Sequence, residues 1–397
     1  MLFSKPKKAV GIDIGAHCVK AVQMSRSGRR LHVDGAGMAL VDRNLVNTDP
    51  VAAHATAVRD ALRTIFLAQS LVVGALPGQT VVIRYPRLPD MPEDRIGAAI
   101  EKEASQHIPY DLSEVFLDWS LLERVTEGND RLLKVLLVAA RHEVIDSRVQ
   151  IASAAEIQYG ILSVDSLALA DAAECCGFLK TGETVALVNI GLTSASIHFV
   201  KDGVSNFIRD VNWGAREFIQ AIVRARRCDY EQAEKLLCAA AEESESKPET
   251  PSAAPETEEP KPASNASLLD PFEDEFEMAP KTPAPAAPSL DSDKPVQDLL
   301  ATPLNKLVAE LRRSLDFYEH ELYETPIDRM ILSGGVAHLP IVRLTLEEEL
   351  ALSRVDVANP TESALTFGNG STMGVLFEHP AQFMVAIGLA ARGMAEL

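Results

Sequence analysis

Two distant segments of the chain repeat one another, and this repetition constrains the fold more than any other feature. Gly11-Ile12-Asp13-Ile14-Gly15 and Leu187-Val188-Asn189-Ile190-Gly191 each close an apolar run with a polar residue and a glycine. Each leads into a β-rich stretch, Val19 to Met24 in the first case and Ala195 to Val200 in the second. Apolar runs punctuated by glycine read as a strand, a tight turn and a returning strand. A chain that builds this hairpin twice is expected to hold two related sheets in an α/β fold.

The rest of the sequence alternates in the same way. Leu31 to Leu40, Leu71 to Leu76, Thr80 to Tyr85, Val115 to Leu122, Leu132 to Ala140 and Ile161 to Val164 read as strands, and Pro50 to Ala68, His142 to Gln158 and Ser166 to Cys176 as helices. After the Pro-rich turn at Pro86 to Pro92, Ile96, Ile100, Ala104 and Ile108 share one helical face. The second sheet starts at Thr184 to Ile190, followed by helices at Trp213 to Arg226 and Tyr230 to Ala240. A long helix is expected with Thr302 as N-cap and Pro303 at its first position, burying Leu304, Leu307, Leu311, Leu315, Tyr318 and Leu322. A strand at Asp328 to Leu332 then enters Ser333-Gly334-Gly335, and an apolar helix spans about Phe383 to Arg392.

Residues 240–297 break the pattern. They hold 11 of the 23 prolines and carry a net charge of -10 out of -19. Such a segment cannot bury enough apolar surface to order itself, so it reads as a disordered acidic insertion. Lengthening a short connection to this size costs roughly 2 kcal/mol in closure entropy, which a large core tolerates. Leu268-Leu269-Asp270-Pro271-Phe272 and Phe276 to Met278 set apolar residues among its acids, the pattern of a docking motif or of a solvated tether.

Several function classes are disfavoured. The acidic balance argues against a nucleic-acid backbone as main partner. No apolar run approaches the ~20 residues of a membrane span, and the basic start from Met1 to Lys8 leads to Asp13 rather than to a signal-peptide core. The five cysteines and nine histidines show no disulfide framework or metal-ligand spacing.

Two glycine turns suit a polyphosphate held between two sheets, because backbone N–H groups there can approach phosphate oxygens closely. Asp13, at a strand end, could hold a Mg2+ ion through its water shell, and Lys20 could fold back over the turn. Gly334 and Gly335 offer a surface without side chains on which a purine or ribose could rest. Each turn taken alone is also what an ordinary tight connection looks like.

The order Gly11 to Gly15 with Val19-Lys20, then Val188 to Gly191, then Ile331 to Gly335, resembles the actin, hexokinase and heat-shock-chaperone ATPase superfamily. His107-Ile108-Pro109-Tyr110, Asn212-Trp213-Gly214, Tyr230 to Lys235 and Glu310 to Tyr318 more narrowly resemble the PilM family, the actin-like proteins of type IV pilus assembly. The resemblance covers nearly the whole chain apart from the acidic insertion.

It implies an actin-like fold of two duplicated ribonuclease-H-like domains, residues 1–165 with 380–397 and residues 166–379, and an FtsA-like subdomain inserted at 79–141. It implies ATP and Mg2+ between them. Asp13, Gly15, Ala16, His17 and Lys20 would form the first phosphate loop, and Asn189, Gly191 and Thr193 the second. Gly214 would lie near the ribose, Glu234 and Lys235 over the adenosine, and Gly334 and Gly335 beneath it. The implied partner is the cytoplasmic tail of a PilN-like inner-membrane protein, docked between the subdomain and the first domain. Self-assembly is a further possibility, and membrane contact would come only through the partner, at the cytoplasmic face of the inner membrane.

Two departures bear on activity. Asn189 stands where most of the superfamily has Asp, and an amide cannot supply the charge that steadies Mg2+ or assists proton removal, so at most slow turnover is expected. Ala16-His17-Cys18 replaces a serine-rich turn. Asp165 has two readings: the water-positioning residue of related ATPases, or the N-cap of the helix starting near Ser166. A small-molecule kinase of the same superfold and an FtsA-like membrane filament are the alternatives. The first lacks a marked acceptor pocket, and the second lacks an amphipathic helix at the C-terminus.

Overall fold

The computed structural model describes residues 7–28, 30–128, 130–245, 294–368 and 371–397. Most of the acidic segment, including the apolar groups at 268–272 and 276–278, lies outside these. The chain opens with the meander β1 (Lys8–Ile14), β2 (Cys18–Ser27) and β3 (Arg30–Leu40). The helices α1 (Arg43–Thr48) and α2 (Pro50–Ala61) follow. Asp42 and Asp49 cap them by accepting backbone N–H groups of their first turns, and Pro50 occupies the first position of α2.

After β4 (Ser70–Leu76) the chain forms β5 (Val81–Arg84), β6 (Arg87–Pro89), α3 (Glu93–His107), β7 (Val115–Glu127) and β8 (Asp130–Arg141). It returns through α4 (His142–Ala154), β9 (Ile161–Val164) and α5 (Asp165–Cys175). The second half holds β10 (Thr184–Ile190), β11 (Ala195–Lys201), β12 (Val204–Val211), α6 (Arg216–Arg226), α7 (Tyr230–Glu245) and α8 (Val296–Asp316). It continues with β13 (Arg329–Gly334), α9 (Pro340–Glu349), β14 (Val355–Val357), β15 (Thr366–Phe367), α10 (Gly374–Glu378) and α11 (Met384–Ala395).

The duplication is plain in the topology. One sheet has the order β15-β3-β2-β1-β4-β9 and the other β12-β11-β10-β13-β14. In each, an antiparallel meander meets a parallel strand across its first member. The registers match residue for residue: Asp13 faces Lys20 across the first hairpin, and Asn189 faces Ser196 across the second. A third sheet, β5-β8-β6 with β7 on the other side of β8, carries α3. Ile96, Ile100 and Ala104 of α3 pack on Leu133, Val135 and Leu137 of β8.

The helices α5 and α11 lie between the two large sheets. Leu169 and Ala172 of α5 and Ile387 and Ala390 of α11 share one core with Ala9 and Val22 of the first sheet and with Val185 and Leu187 of the second. They meet at backbone distance, since a Cβ on Gly388 would lie 1.7 Å from the Ala168 carbonyl oxygen. On its far side the second sheet buries Phe199, Trp213, Leu304, Leu311 and Tyr318 with α6, α7 and α8.

Several expectations change in detail. The long helix begins at Val296, not after Thr302, and Pro303 lies inside it. An internal proline forfeits a helical hydrogen bond and costs about 3 kcal/mol. Here Leu299, Leu300 and Pro303 are all buried, and the Trp213 indole donates to the Pro303 carbonyl, so tertiary packing outweighs the local signal. The helices expected at 50–68 and 142–158 end earlier, at Ala61 and Ala154. Strand β15, which the sequence reading puts in the second unit, adds to β3 of the first sheet.

Candidate functional site

The two repeated turns face each other at the same end of the two sheets. Each is closed by the same bond: Gly15 N–H donates to Cys18 O at 3.2 Å, and Gly191 N–H to Ser194 O at 2.9 Å. A third turn joins them, where Gly335 N–H donates to Ile190 O at 3.0 Å. Gly334 has φ +98°, and a Cβ there would lie 2.2 Å from Ile190 O, so backbone conformation and close approach both require glycine.

Between the turns lies a cavity of about 790 Å³, within the range of small-molecule and cofactor sites. Asp13, Gly15, Ala16, His17 and Lys20 line one wall. Asn189, Gly191, Thr193, Gly334 and Gly335 line the other, and Asp165 lies between the walls. Lys20 Nζ is 2.9 Å from Asp13 Oδ2. Burial works against the lysine charge, but the Asp13 carboxylate outweighs it and holds the Lys20 proton more tightly than usual. The Asn189 amide oxygen accepts from Ser333 Oγ at 3.2 Å, which fixes that side chain at the end of β10.

Three expected residues lie elsewhere. Gly214 packs behind the second turn, where a Cβ would lie 2.5 Å from Leu192 O. Glu234 of α7 reaches across to the first half. Its carboxylate accepts from Arg43 at 2.6 and 2.7 Å and lies 3.6 Å from His17 Nδ1. Lys235 points to solvent and pairs with Glu231 on its own helix at 2.7 Å.

Asp165 opens α5, and its Oδ1 accepts from Gly78 N–H at 2.8 Å and Ser166 N–H at 2.6 Å. The N-cap of α5 is Val164 and makes no side-chain cap bond, so Asp165 is the first helical residue and not the N-cap that one reading expects; it ties the chain after β4 to the start of α5. Burial, then the charges of Asp210 and Asp13, push its carboxyl up to about 7. Asp210, at the end of β12, is itself pushed up to about 6 by burial. It lies against Gly78, where a Cβ would come within 2.4 Å of Asp210 Oδ2.

Sequence reasoning missed Asp210, Gly78 and Arg148, all on the cavity wall. Arg148 alone left a trace: it interrupts the face of α4 that otherwise presents Val144 and Ile151. The cavity thus gathers the carboxyl groups of Asp13, Asp165 and Asp210 with the cations of Lys20 and Arg148. A polyphosphate would be repelled by the carboxylates alone, so this donor set suits an anion that arrives with a divalent cation. Among the described residues no group of three or more His, Cys, Asp or Glu is arranged to hold a metal directly. That leaves a single strand-end carboxylate acting through water, the mode that suits Mg2+.

The family profile described as "Type IV pilus assembly protein PilM" matches residues 11–243 and 290–394. Among solved structures, the chain is similar to one described as the PilM-PilN type IV pilus biogenesis complex, at 22% identity and TM-score 0.73, covering 97% of this chain and 98% of that one. It is also similar to the ethanolamine utilization protein EutJ from Carboxydothermus hydrogenoformans, at 12% identity and TM-score 0.51, covering 98% of this chain and 90% of that one. These likenesses give the fold as actin-like, as the superfamily resemblance implies. No helix among the described residues is long and apolar enough to cross a membrane.

Proposed function

The chain belongs to the PilM family of type IV pilus assembly proteins, and from that premise we propose that it is an actin-like scaffold that binds ATP with Mg2+ between its two sheets and captures the cytoplasmic tail of a PilN-like partner at the inner membrane. The observation that carries the nucleotide reading is the pair of identically closed glycine turns facing one cavity. Backbone N–H groups of both turns would hold phosphate oxygens from opposite sides. Asp13 would orient the water shell of Mg2+, and the ion would offset phosphate charge. Gly334 and Gly335 would give the nucleoside a flat floor.

Turnover is expected to be slow at most. Asn189 is neutral and its amide oxygen is engaged by Ser333, so it offers no charge to an attacking water. Asp165, held by two backbone N–H groups, is the cavity's candidate for positioning that water.

The partner reading rests on the junction of the inserted subdomain and the first half. There Phe116 packs edge-on to His142 and remains 57% exposed, and Arg141 lies over the ring of Tyr110, which is 39% exposed. Exposed aromatic rings beside a sheet edge suit an extended peptide. The test is co-purification of the full chain with the cytoplasmic tails of neighbouring single-span membrane proteins, with and without ATP. Phe116→Glu is expected to abolish capture and leave nucleotide binding intact. Capture by the variant at wild-type level would remove the docking site from this junction. Rapid phosphate release by the wild-type chain would overturn the scaffold reading.

A further inference from the structure

We propose that Arg148 is the residue that recognises the terminal phosphate, so that the cleft distinguishes a nucleoside triphosphate from a diphosphate. This deepens the nucleotide reading above and rests on it. Arg148 extends from α4 into the cavity, beside the first turn. Its guanidinium makes one long hydrogen bond, to the Ile14 carbonyl at 3.5 Å, and no ion pair with any described residue. A guanidinium carries five donors and stays charged in proteins. Arg148 is half-buried, and the donors it leaves unused are open to the cavity rather than sealed in the core, so an anion entering the cleft can complete them.

The surroundings point to which anion. Burial disfavours the Arg148 charge, and Tyr159, Asp13 and Asp165 supply the opposing field without touching the guanidinium. Lys20, the other cation on the wall, is already paired with Asp13 at 2.9 Å. In the duplicated half the position equivalent to Lys20 is Ser196, which brings no charge. Arg148 is therefore the cation of the cavity left with free donors. It lies on the first-half wall, next to the carbonyl of Ile14 and within the field of Asp165, the candidate water-positioning group. Of the phosphates in a chain gripped by the two turns, the terminal one has the most unshared oxygens, and a planar fork of N–H groups matches two of them at once.

The decisive measurement is equilibrium binding of a nonhydrolysable ATP analogue and of ADP, each with Mg2+, to the full chain by calorimetry. Arg148→Gln is expected to weaken the triphosphate by roughly 10- to 100-fold, the effect of losing charge-assisted hydrogen bonds, and ADP by less than about threefold. Arg148→Lys keeps the charge without the fork and is expected to recover part of the triphosphate preference. Equal weakening of both nucleotides, or of neither, overturns the assignment while leaving the nucleotide reading in place. A wild-type chain that binds neither nucleotide overturns both. A thermal melt of each variant separates a binding defect from unfolding, and Arg148→Lys carries the test should Arg148→Gln fail to fold.

Discussion

Arg43 of α1 holds both carboxylate oxygens of Glu234 of α7, at 2.6 and 2.7 Å, and so joins the two halves of the molecule beside the cavity. The same guanidinium lies 4.1 Å from the centre of the Tyr230 ring, and Glu234 is 3.6 Å from His17 at the tip of the first turn. Burial lowers the affinity of His17 for its proton, with Glu234 opposing. In this structure Glu234 is thus a tie between halves rather than a contact on the cavity wall.

Removing that tie should loosen the cleft. The side chains are partly exposed, so the pair and its ring contact together are worth about 1 kcal/mol. Arg43→Ala is expected to speed release of a fluorescent ATP analogue about fivefold in stopped flow, with the melting temperature nearly unchanged. An unaltered release rate would show that the tie does not limit opening.

The adjacent glycines at the end of β13 should respond in opposite ways. Gly334→Ala forces a side chain into positive φ against Ile190 and is expected to cost about 2–4 kcal/mol of stability, read from denaturant unfolding. A Cβ on Gly335 meets nothing within 4 Å, so Gly335→Ala should keep wild-type stability and instead weaken nucleotide by adding a methyl to the cavity wall. If the two variants behave alike, the distinction drawn from their backbone geometry is wrong.

Asp165 predicts a pH-dependent stability. Its folded carboxyl is raised to about 7 from an ordinary 3.8, so the unfolded chain releases this proton first. The contribution is complete below about pH 4 and lost as pH rises towards 7. Asp165→Asn keeps an acceptor for Gly78 and Ser166 but cannot ionise. Its melting temperature should exceed wild type at pH 8 and match it at pH 4. A constant difference across that range would assign the effect to packing.

A hydrogen-bond chain runs from the partly buried Tyr85 of the inserted subdomain to the buried His198. Tyr85 Oη and Ser205 Oγ are 2.7 Å apart, His198 Nε2 lies 2.7 Å from that same Oγ, and His198 Nδ1 lies 2.8 Å from the Ser166 carbonyl. Burial lowers His198 to about 4, so the ring is neutral, with its proton on Nδ1 and Nε2 accepting from Ser205. Tyr85→Phe is expected to cost about 1 kcal/mol. The loss should appear as faster amide exchange in β5 and β8; unchanged exchange there would uncouple the chain from the subdomain.

What could be read from sequence follows the range of the interactions. The hairpins were legible because a strand, a glycine and a strand are local, and the seven-residue step from Asp13 to Lys20 sets their pairing. The start of α8 was not, because Pro303 signals a first turn locally while Leu299 and Leu300 answer to a distant core. Edge strands such as β14 and β15 are too short to show a period. Asp210 and Gly78 meet only when the halves close, and the partner of Glu234 is 191 residues away. Motifs fixed the turns, and long-range packing supplied the charges around them.

The placement of α11 ties synthesis to assembly. Residues 384–395 wedge between the first strand of the chain and α5, where Gly11 and Gly388 leave room only for bare backbone. The sheet begun at residue 8 therefore stays open on one side until residues 384–395 have been made. A product truncated before Met384 would expose that side, and its Asp13 turn would lack a rigid base.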